Sequence, residues 1–135
     1  MRPFVSLFAV AAILFLVLDL IWLGVVAKGF YASEMGALLK KSPNLAAAAA
    51  FYLVYVGGLT LFVLMPAQLS GSVAKAALMG AAFGFVAYAA YDLTGLAVIE
   101  GFTLKLALVD LAWGTLASAA VAGTSVAIVS RLTPG

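Results

Sequence analysis

Four stretches of the sequence are apolar over lengths that match the thickness of a membrane. They cover approximately residues 3–27, 44–65, 73–99 and 104–130. A run of 18 or more apolar residues is typical of a transmembrane helix, because about 20 helical residues cross the hydrocarbon core. We therefore predict an all-α integral membrane protein, a bundle of four transmembrane helices that forms one domain over residues 1–135. The four stretches are called spans 1 to 4.

Composition supports this interpretation and excludes several classes of function. The chain is 67% apolar and 9% charged, with mean hydropathy +1.25, whereas soluble domains are about 45–50% apolar and 25% charged. Its seven Lys and Arg residues are scattered at span ends, so no basic patch indicates nucleic-acid binding. The absence of Cys and His excludes disulfides, thiolate catalysis and imidazole ligands. We predict no cofactor and no metal site, and whether the chain is an enzyme stays open.

The connections between spans carry a few local signals. The longest, Lys28–Lys41, has apolar residues at helical spacing, which fits either a short interfacial helix or a loop with aromatics at headgroup level. Ser42 and Pro43 are typical of a helix start, and Pro66 predicts the end of span 2. Thr103 is the predicted N-cap of span 4.

The two helical hairpins resemble each other. Asp19-Leu20 matches Asp92-Leu93 at an offset of 73 residues, and Gly29-Phe30 matches Gly101-Phe102 at an offset of 72. Because spans 1 and 3 run in the same direction, this pattern predicts a possible parallel repeat of two hairpins. Chance similarity between apolar segments is the alternative interpretation.

Three spans carry an aspartate, at Asp19, Asp92 and Asp110. Each costs about 2.5–3.5 kcal/mol at the centre of a membrane helix on insertion scales. From the rise per residue, they lie about 13, 12 and 7–8 Å from the membrane face that carries the 28–41 connection. The opposite half of the bilayer is nearly free of polar side chains. We therefore expect the three acids to meet in one pocket near one face.

Aromatic and hydroxyl side chains on the same spans could donate hydrogen bonds to these acids. The predicted ligand-binding residues are Asp19, Trp22, Tyr52, Tyr55, Tyr88, Tyr91, Asp92, Thr94, Asp110 and Trp113. The alternative is a hydrogen-bonded network that only fixes helix register. Trp22 is also typical of the aromatic belt at a membrane interface.

Span 3 contains a second motif of structural interest. Gly80 and Gly84 form a G-x-x-x-G pattern, which lets a partner helix approach closely. That partner is either another span of the same chain or a second copy, so a homodimer through the Gly80/Gly84 face is a possible arrangement. Membrane lipids are the other expected partners, and nucleic acid is not.

The orientation follows from the positive charges in the connections. One side carries Arg2, Lys75, Arg131 and the amino terminus, whereas the other carries four lysines. The positive-inside rule counts lysine and arginine and largely ignores acids, so it weighs three side chains and the amino terminus against four lysines. We predict both termini on the cytoplasmic side.

Several motifs together resemble a known family. These motifs are Asp19-Leu20-Ile21-Trp22-Leu23-Gly24, Phe51-Tyr52, Tyr88-Ala89-Ala90-Tyr91-Asp92-Leu93-Thr94 and Asp110-Leu111-Ala112-Trp113-Gly114. They are similar to those of an uncharacterised bacterial family of small four-span inner-membrane proteins, a domain of unknown function. The resemblance implies a helical bundle in a bacterial cytoplasmic (inner) membrane and a connection to lipids, but no defined activity. Gly95 stands where the resemblance implies an asparagine.

Three hypotheses for function follow. The first is a protein that binds or transports a small ligand, a cation or a lipid at the acidic pocket. The second is a membrane enzyme or accessory factor in lipid or fatty-acid modification, with an aspartate as general acid or base. The third is a structural subunit of a larger membrane complex. Polarity in only one half of the bilayer argues against a simple channel.

Overall fold

The computed structural model describes residues 2–35 and 44–132, and the regular structure of this part of the chain is entirely helical. The elements in chain order are α1 (Arg2–Ile21), a π-helical turn (Trp22–Val26), α2 (Lys28–Met35), α3 (Leu45–Leu59), a second π-helical turn (Thr60–Leu64), α4 (Met65–Ser70), α5 (Val73–Val98) and α6 (Leu104–Leu132).

Four helices are long and apolar enough to cross a membrane. They are Pro3–Val26, Leu45–Ser70, Val73–Val98 and Leu104–Leu132. Span 1 therefore combines α1 with the first π-helical turn, and span 2 combines α3, the second π-helical turn and α4. Spans 3 and 4 are α5 and α6. The predicted all-α membrane fold with four spans is confirmed.

Span 2 continues past Pro66, so the prediction that it ends there is wrong. The π-helical turn Thr60–Leu64 precedes the proline, and the Met65 N–H bonds to the Thr60 carbonyl. Proline lacks an N–H and breaks a regular helix, but it is tolerated in the first turn of a new helix. Pro66 lies in the first turn of α4, and the helix then runs on to Ser70.

The structure tests two predictions about the connections, the helix in the first connection and the Thr103 cap. The Lys28–Met35 part of the first connection is helical, so the helix is the correct alternative there. Residues 36–43, which include the rest of that connection and the predicted helix start at 42–43, lie outside the described residues. Span 2 begins instead after Asn44, whose side chain accepts a hydrogen bond from the Ala47 N–H at 3.0 Å. The Thr103 cap is confirmed, because its hydroxyl accepts from Leu106 N at 3.0 Å.

Spans 3 and 4 pack together through small residues. A Cβ added at Gly80 would lie 2.6 Å from the Ala122 Cβ and 2.8 Å from the Ser118 carbonyl oxygen. At Gly84 an added Cβ would meet Ser118 and the Gly114 backbone. Span 4 thus occupies the Gly80/Gly84 face, so the intramolecular alternative is correct and the homodimer predicted through this face would have to displace span 4.

The half of the bundle away from α2 has a closely packed apolar core, and its buried side chains come mostly from spans 1, 2 and 4, with Ala76 from span 3. These include Leu7, Ala11, Val56, Leu59, Val63, Leu64, Val121, Val126 and Val129. The Thr60 hydroxyl is buried there and bonds to the Val56 carbonyl at 2.7 Å. The parallel repeat stays a prediction.

Candidate intramembrane ligand site

A cavity of about 200 Å³ lies at the end of the bundle next to α2. Spans 1, 3 and 4 contribute to its wall, together with α2 and the turn between spans 3 and 4. Seven of the ten predicted ligand-binding residues line it: Asp19, Trp22, Tyr88, Tyr91, Asp92, Asp110 and Trp113. The structure therefore brings the three aspartates around one space, near one end of the spans. That they bind a ligand stays a prediction.

Asp92 is the most constrained of the acids. Its side chain is 0% exposed, and neither carboxylate oxygen has a hydrogen-bond partner among the described residues. Buried polar groups are nearly always paired, since an unpaired group costs about 1–3 kcal/mol and more when charged. Tyr88, one helical turn earlier, does not supply the missing bond although its spacing allows it. Asp92 is therefore a buried acceptor that the described residues leave unsatisfied.

Tyr31 of α2 connects the cavity to the membrane surface. Its hydroxyl donates to Asp110 Oδ1 at 2.7 Å and accepts from Trp22 Nε1 at 3.0 Å. Burial raises the pKa of the Tyr31 hydroxyl, and the nearby Asp110 raises it further. The phenol therefore keeps its proton at neutral pH and remains a donor to Asp110.

Sequence reasoning did not include Tyr31 among the site residues. The helical spacing of Phe30 and Tyr31 in the first connection was the only signal, and it indicated an aromatic in the headgroup layer. In the structure α2 packs against the start of span 4 through these two rings, which contact a cluster of Phe102, Leu106 and Ala107. This contact turns Tyr31 inward.

The two tryptophans form a stacked pair in the cavity wall. The ring centroids of Trp22 and Trp113 lie 4.5 Å apart with an interplanar angle of 4°. The Trp113 Nε1 is buried, and the indole interacts with the Asp19 carboxylate without a regular hydrogen bond. Trp22 is half-buried, lines the cavity and bonds to Tyr31, and its place in an aromatic belt stays a prediction.

Two glycines make room for rings at the site. The Tyr88 ring lies directly on Gly114, so any side chain at position 114 would collide with it. The Phe102 ring covers Gly95 in the same way, since an added Cβ at Gly95 would lie 2.9 Å from Phe102 Cε2. This close contact explains why a glycine suits position 95, where the family resemblance implies an asparagine.

Three predicted ligand residues lie outside the cavity wall. The Tyr52 hydroxyl donates to the Ala12 carbonyl, and the Tyr55 hydroxyl bonds to the Ser118 hydroxyl. Both tyrosines pack with the apolar core. Thr94 is exposed on the surface of span 3. Their depth in the membrane matches that of the acids, but packing directs their side chains elsewhere.

The arrangement of the acids limits what the cavity can hold. Asp110 interacts electrostatically with both Asp19 and Asp92. However, no group of three or more acidic side chains in residues 2–35 and 44–132 is close enough to hold a metal ion. The three acids come from three different spans and all line the cavity, with Asp92 buried in its wall.

Comparison with known proteins identifies the family. The family described as "Predicted membrane protein (DUF2177)" matches residues 4–127, which include every residue of the cavity wall. No curated protein and no solved structure matches the chain. Together with the four spans, this match shows that the chain belongs to the DUF2177 family of membrane proteins.

Proposed function

We propose that the chain is a membrane binding protein that takes up a primary ammonium group in the cavity between Asp19, Asp92 and Asp110. The observation that carries this proposal is the fully buried Asp92 carboxylate, whose two oxygens lack any donor among the described residues. A bound ammonium group would supply both the positive charge and the N–H donors that this carboxylate needs.

The charge of the cavity wall favours a cationic ligand. Three carboxylates line the cavity, and its lining among the described residues includes no lysine or arginine. When ionised, Asp110 repels its two acidic neighbours, Asp19 and Asp92. An anionic group would add to this repulsion, whereas a cation between the three acids would reduce it.

The shape and aromatic content of the cavity favour an organic cation. A volume of about 200 Å³ has room for on the order of ten water molecules, far more than one bare metal ion needs. Trp22, Tyr31 and Tyr88 are among the rings that line it. Aromatic rings attract ammonium groups by about 0.5–2 kcal/mol when the cation lies within about 6 Å of the ring centroid.

The competing hypotheses explain these observations less well. A polar network that only fixed helix register would satisfy its own members, but Asp92, an acid that is 0% exposed, accepts no hydrogen bond among the described residues. A channel would need a polar path through both halves of the bundle. The other half is closely packed and apolar, so the site is open at one end and binding is favoured over passage.

Tryptophan fluorescence tests this proposal directly. The chain has two tryptophans, and both line the cavity, so intrinsic emission reports on the site. The protein in phosphatidylcholine nanodiscs is titrated with ethylammonium. Tetramethylammonium serves as a charged probe without N–H donors, and ethanol serves as an uncharged probe. We expect a saturable change with ethylammonium, a weaker one with tetramethylammonium and none with ethanol.

A pair of matched variants locates the response. Asp92→Asn keeps the shape of the side chain and removes the charge, so it should weaken ethylammonium binding at least tenfold. Glu100→Gln removes an exposed acid from the turn after span 3 and should leave binding unchanged. The proposal is overturned if the wild-type protein shows no saturable response, or if Asp92→Asn responds like the wild type.

A further inference from the structure

An apolar groove adjoins the acidic cavity. It has a volume of about 340 Å³ and is lined by Phe51, Ala87, Tyr88, Tyr91 and Asp110. Tyr88, Tyr91 and Asp110 also line the acidic cavity, so the two spaces share a wall. The groove adds Phe51 and Ala87, which are apolar, from spans 2 and 3. Its polar component is thus Asp110 and the tyrosines at the shared boundary.

The groove opens towards the lipid. Phe51 and Tyr91 are 52% and 55% exposed on the outer surface of their spans, although both belong to transmembrane segments. The acidic cavity, by contrast, includes the fully buried Asp92. A hydrocarbon chain lying in the bilayer could therefore enter the groove from the side while its polar end reaches Asp110, which lines both spaces.

We propose that the natural ligand is a single-chain amphiphile with a primary amine, whose alkyl chain lies in the groove between Phe51 and Ala87. This inference rests on the proposed function, because the acidic cavity holds the ammonium end. In the proposed pose the ammonium group lies next to Asp110 and its neighbouring acids, the first carbons pass Tyr88 and Tyr91, and the rest of the chain lies against Phe51.

The same geometry separates this ligand from a phospholipid with an amine headgroup. A phosphoethanolamine headgroup places a phosphate next to its ammonium group, and that phosphate would lie near Asp110 at the shared wall. No lysine or arginine lines either space among the described residues, so none of the side chains that line them would neutralise the phosphate. Two acyl chains would also compete for one groove. A single-chain amine fits both spaces without these costs.

Blocking the groove tests the inference without disturbing the acids. Ala87→Phe should fill the groove, and Ala82→Phe places the same side chain at an exposed site on the same helix as a control. Both variants and the wild type are titrated in phosphatidylcholine nanodiscs with dodecylammonium and with ethylammonium. Comparing variants for one ligand at a time cancels the partitioning of that ligand into the bilayer.

The expected pattern is specific to the long chain. Ala87→Phe should weaken dodecylammonium binding at least tenfold and ethylammonium binding less than twofold, and Ala82→Phe should change neither. If ethylammonium binds to the wild type but Ala87→Phe affects both amines equally or neither, the groove proposal is wrong and the proposed function stands. If neither amine binds to the wild type, the proposed function itself fails.

A labelling experiment needs no variant and covers the case in which Ala87→Phe does not fold. A dodecylamine with a photoreactive diazirine at mid-chain is irradiated with the wild-type protein, and the labelled peptides are identified by mass spectrometry. Labelling should concentrate around Phe51 and Ala87 and should fall when unlabelled dodecylammonium is added. Uniform labelling of all lipid-facing positions would overturn the proposal. So would a loss of labelling in phosphatidylethanolamine nanodiscs that is as large as the loss caused by dodecylammonium.

Discussion

The two ends of this bundle are built from the same four spans but pack differently. The end away from α2, called the closed end, is closely packed, whereas the end next to α2, called the open end, surrounds the cavity. Away from α2, small residues let spans 3 and 4 touch, and Gly80 and Gly84 have no space for a Cβ. Near α2, rings and acids hold the same spans around a cavity of about 200 Å³. Two polar groups illustrate the contrast: the Tyr55 and Ser118 hydroxyls bond to each other beside the apolar core, whereas neither Asp92 carboxylate oxygen has a hydrogen-bond partner among the described residues. Side-chain size, and not helix geometry, decides where a membrane bundle leaves room for a ligand.

The largest expected effect comes from breaking the closed end. Gly84→Leu should lower the free energy of unfolding by about 3 kcal/mol or more, because the new side chain meets the Gly114 backbone, which cannot move aside cheaply. Unfolding by SDS in mixed micelles, followed by circular dichroism, measures the change. Gly29→Ala is the control, since an added Cβ there meets nothing within 4 Å, and it should change stability by less than about 0.5 kcal/mol. Equal effects of the two substitutions would contradict the contrast between the ends.

A medium effect of opposite sign is expected at the open end. Asp92→Leu should raise the free energy of unfolding of the ligand-free protein by about 1–3 kcal/mol, because it removes an unsatisfied buried group. The adjoining cavity has room for the larger side chain. The same variant should lose ethylammonium binding.

The matched change at a satisfied polar pair should have the reverse sign. Ser118→Ala leaves the buried Tyr55 hydroxyl without its partner and should lower stability by about 1–3 kcal/mol. Both variants are compared with the wild type in the same SDS unfolding experiment. A loss of stability in Asp92→Leu as large as in Ser118→Ala would show that the acid is satisfied in the free protein.

The smallest expected effect on stability concerns α2, which packs over the open end. Tyr31→Phe removes both hydrogen bonds of the hydroxyl, to Asp110 and from Trp22, and should cost about 1 kcal/mol. Because the loss is local, hydrogen exchange over Lys28–Met35 should become faster while exchange in span 4 stays the same. Tyr91→Phe removes another cavity hydroxyl and should leave exchange in α2 unchanged. Unaltered exchange in Tyr31→Phe would mean that ring packing alone holds α2.

Counting residues from span ends predicted depth well but not direction. The three aspartates were expected at one depth near one face, and the structure places them around one cavity. Tyr52 and Tyr55 have a matching depth, but their hydroxyls bond to Ala12 and Ser118. Depth follows from a fixed rise of about 1.5 Å per residue, whereas the direction of a side chain depends on how each helix is rotated against its neighbours. An almost uniformly apolar sequence carries little information about that rotation.

Two further features were beyond the reach of local sequence rules. Pro66 is a reliable helix breaker in a regular helix, but the π-helical turn before it shifts the bonding pattern and lets span 2 continue. Tyr31 lies in a connection where the pattern indicated a surface position. Its place in the wall depends on Phe102 and Leu106, which come more than 70 residues later in the chain. Such long-range contacts are not encoded in hydrophobic periodicity.

The π-helical turns have a practical consequence for mutational scanning of spans 1 and 2. Each wide turn accommodates one extra residue, which rotates all later positions by about 100° relative to an uninterrupted helix. A helical wheel drawn from the start of α1 therefore assigns wrong faces to positions after Trp22, and the same holds in span 2 after Thr60. Each of these two spans therefore needs two helical wheels, one before and one after the π-helical turn, offset by one position. Only then can a pattern of tolerated substitutions be assigned to lipid-facing and inward-facing sides.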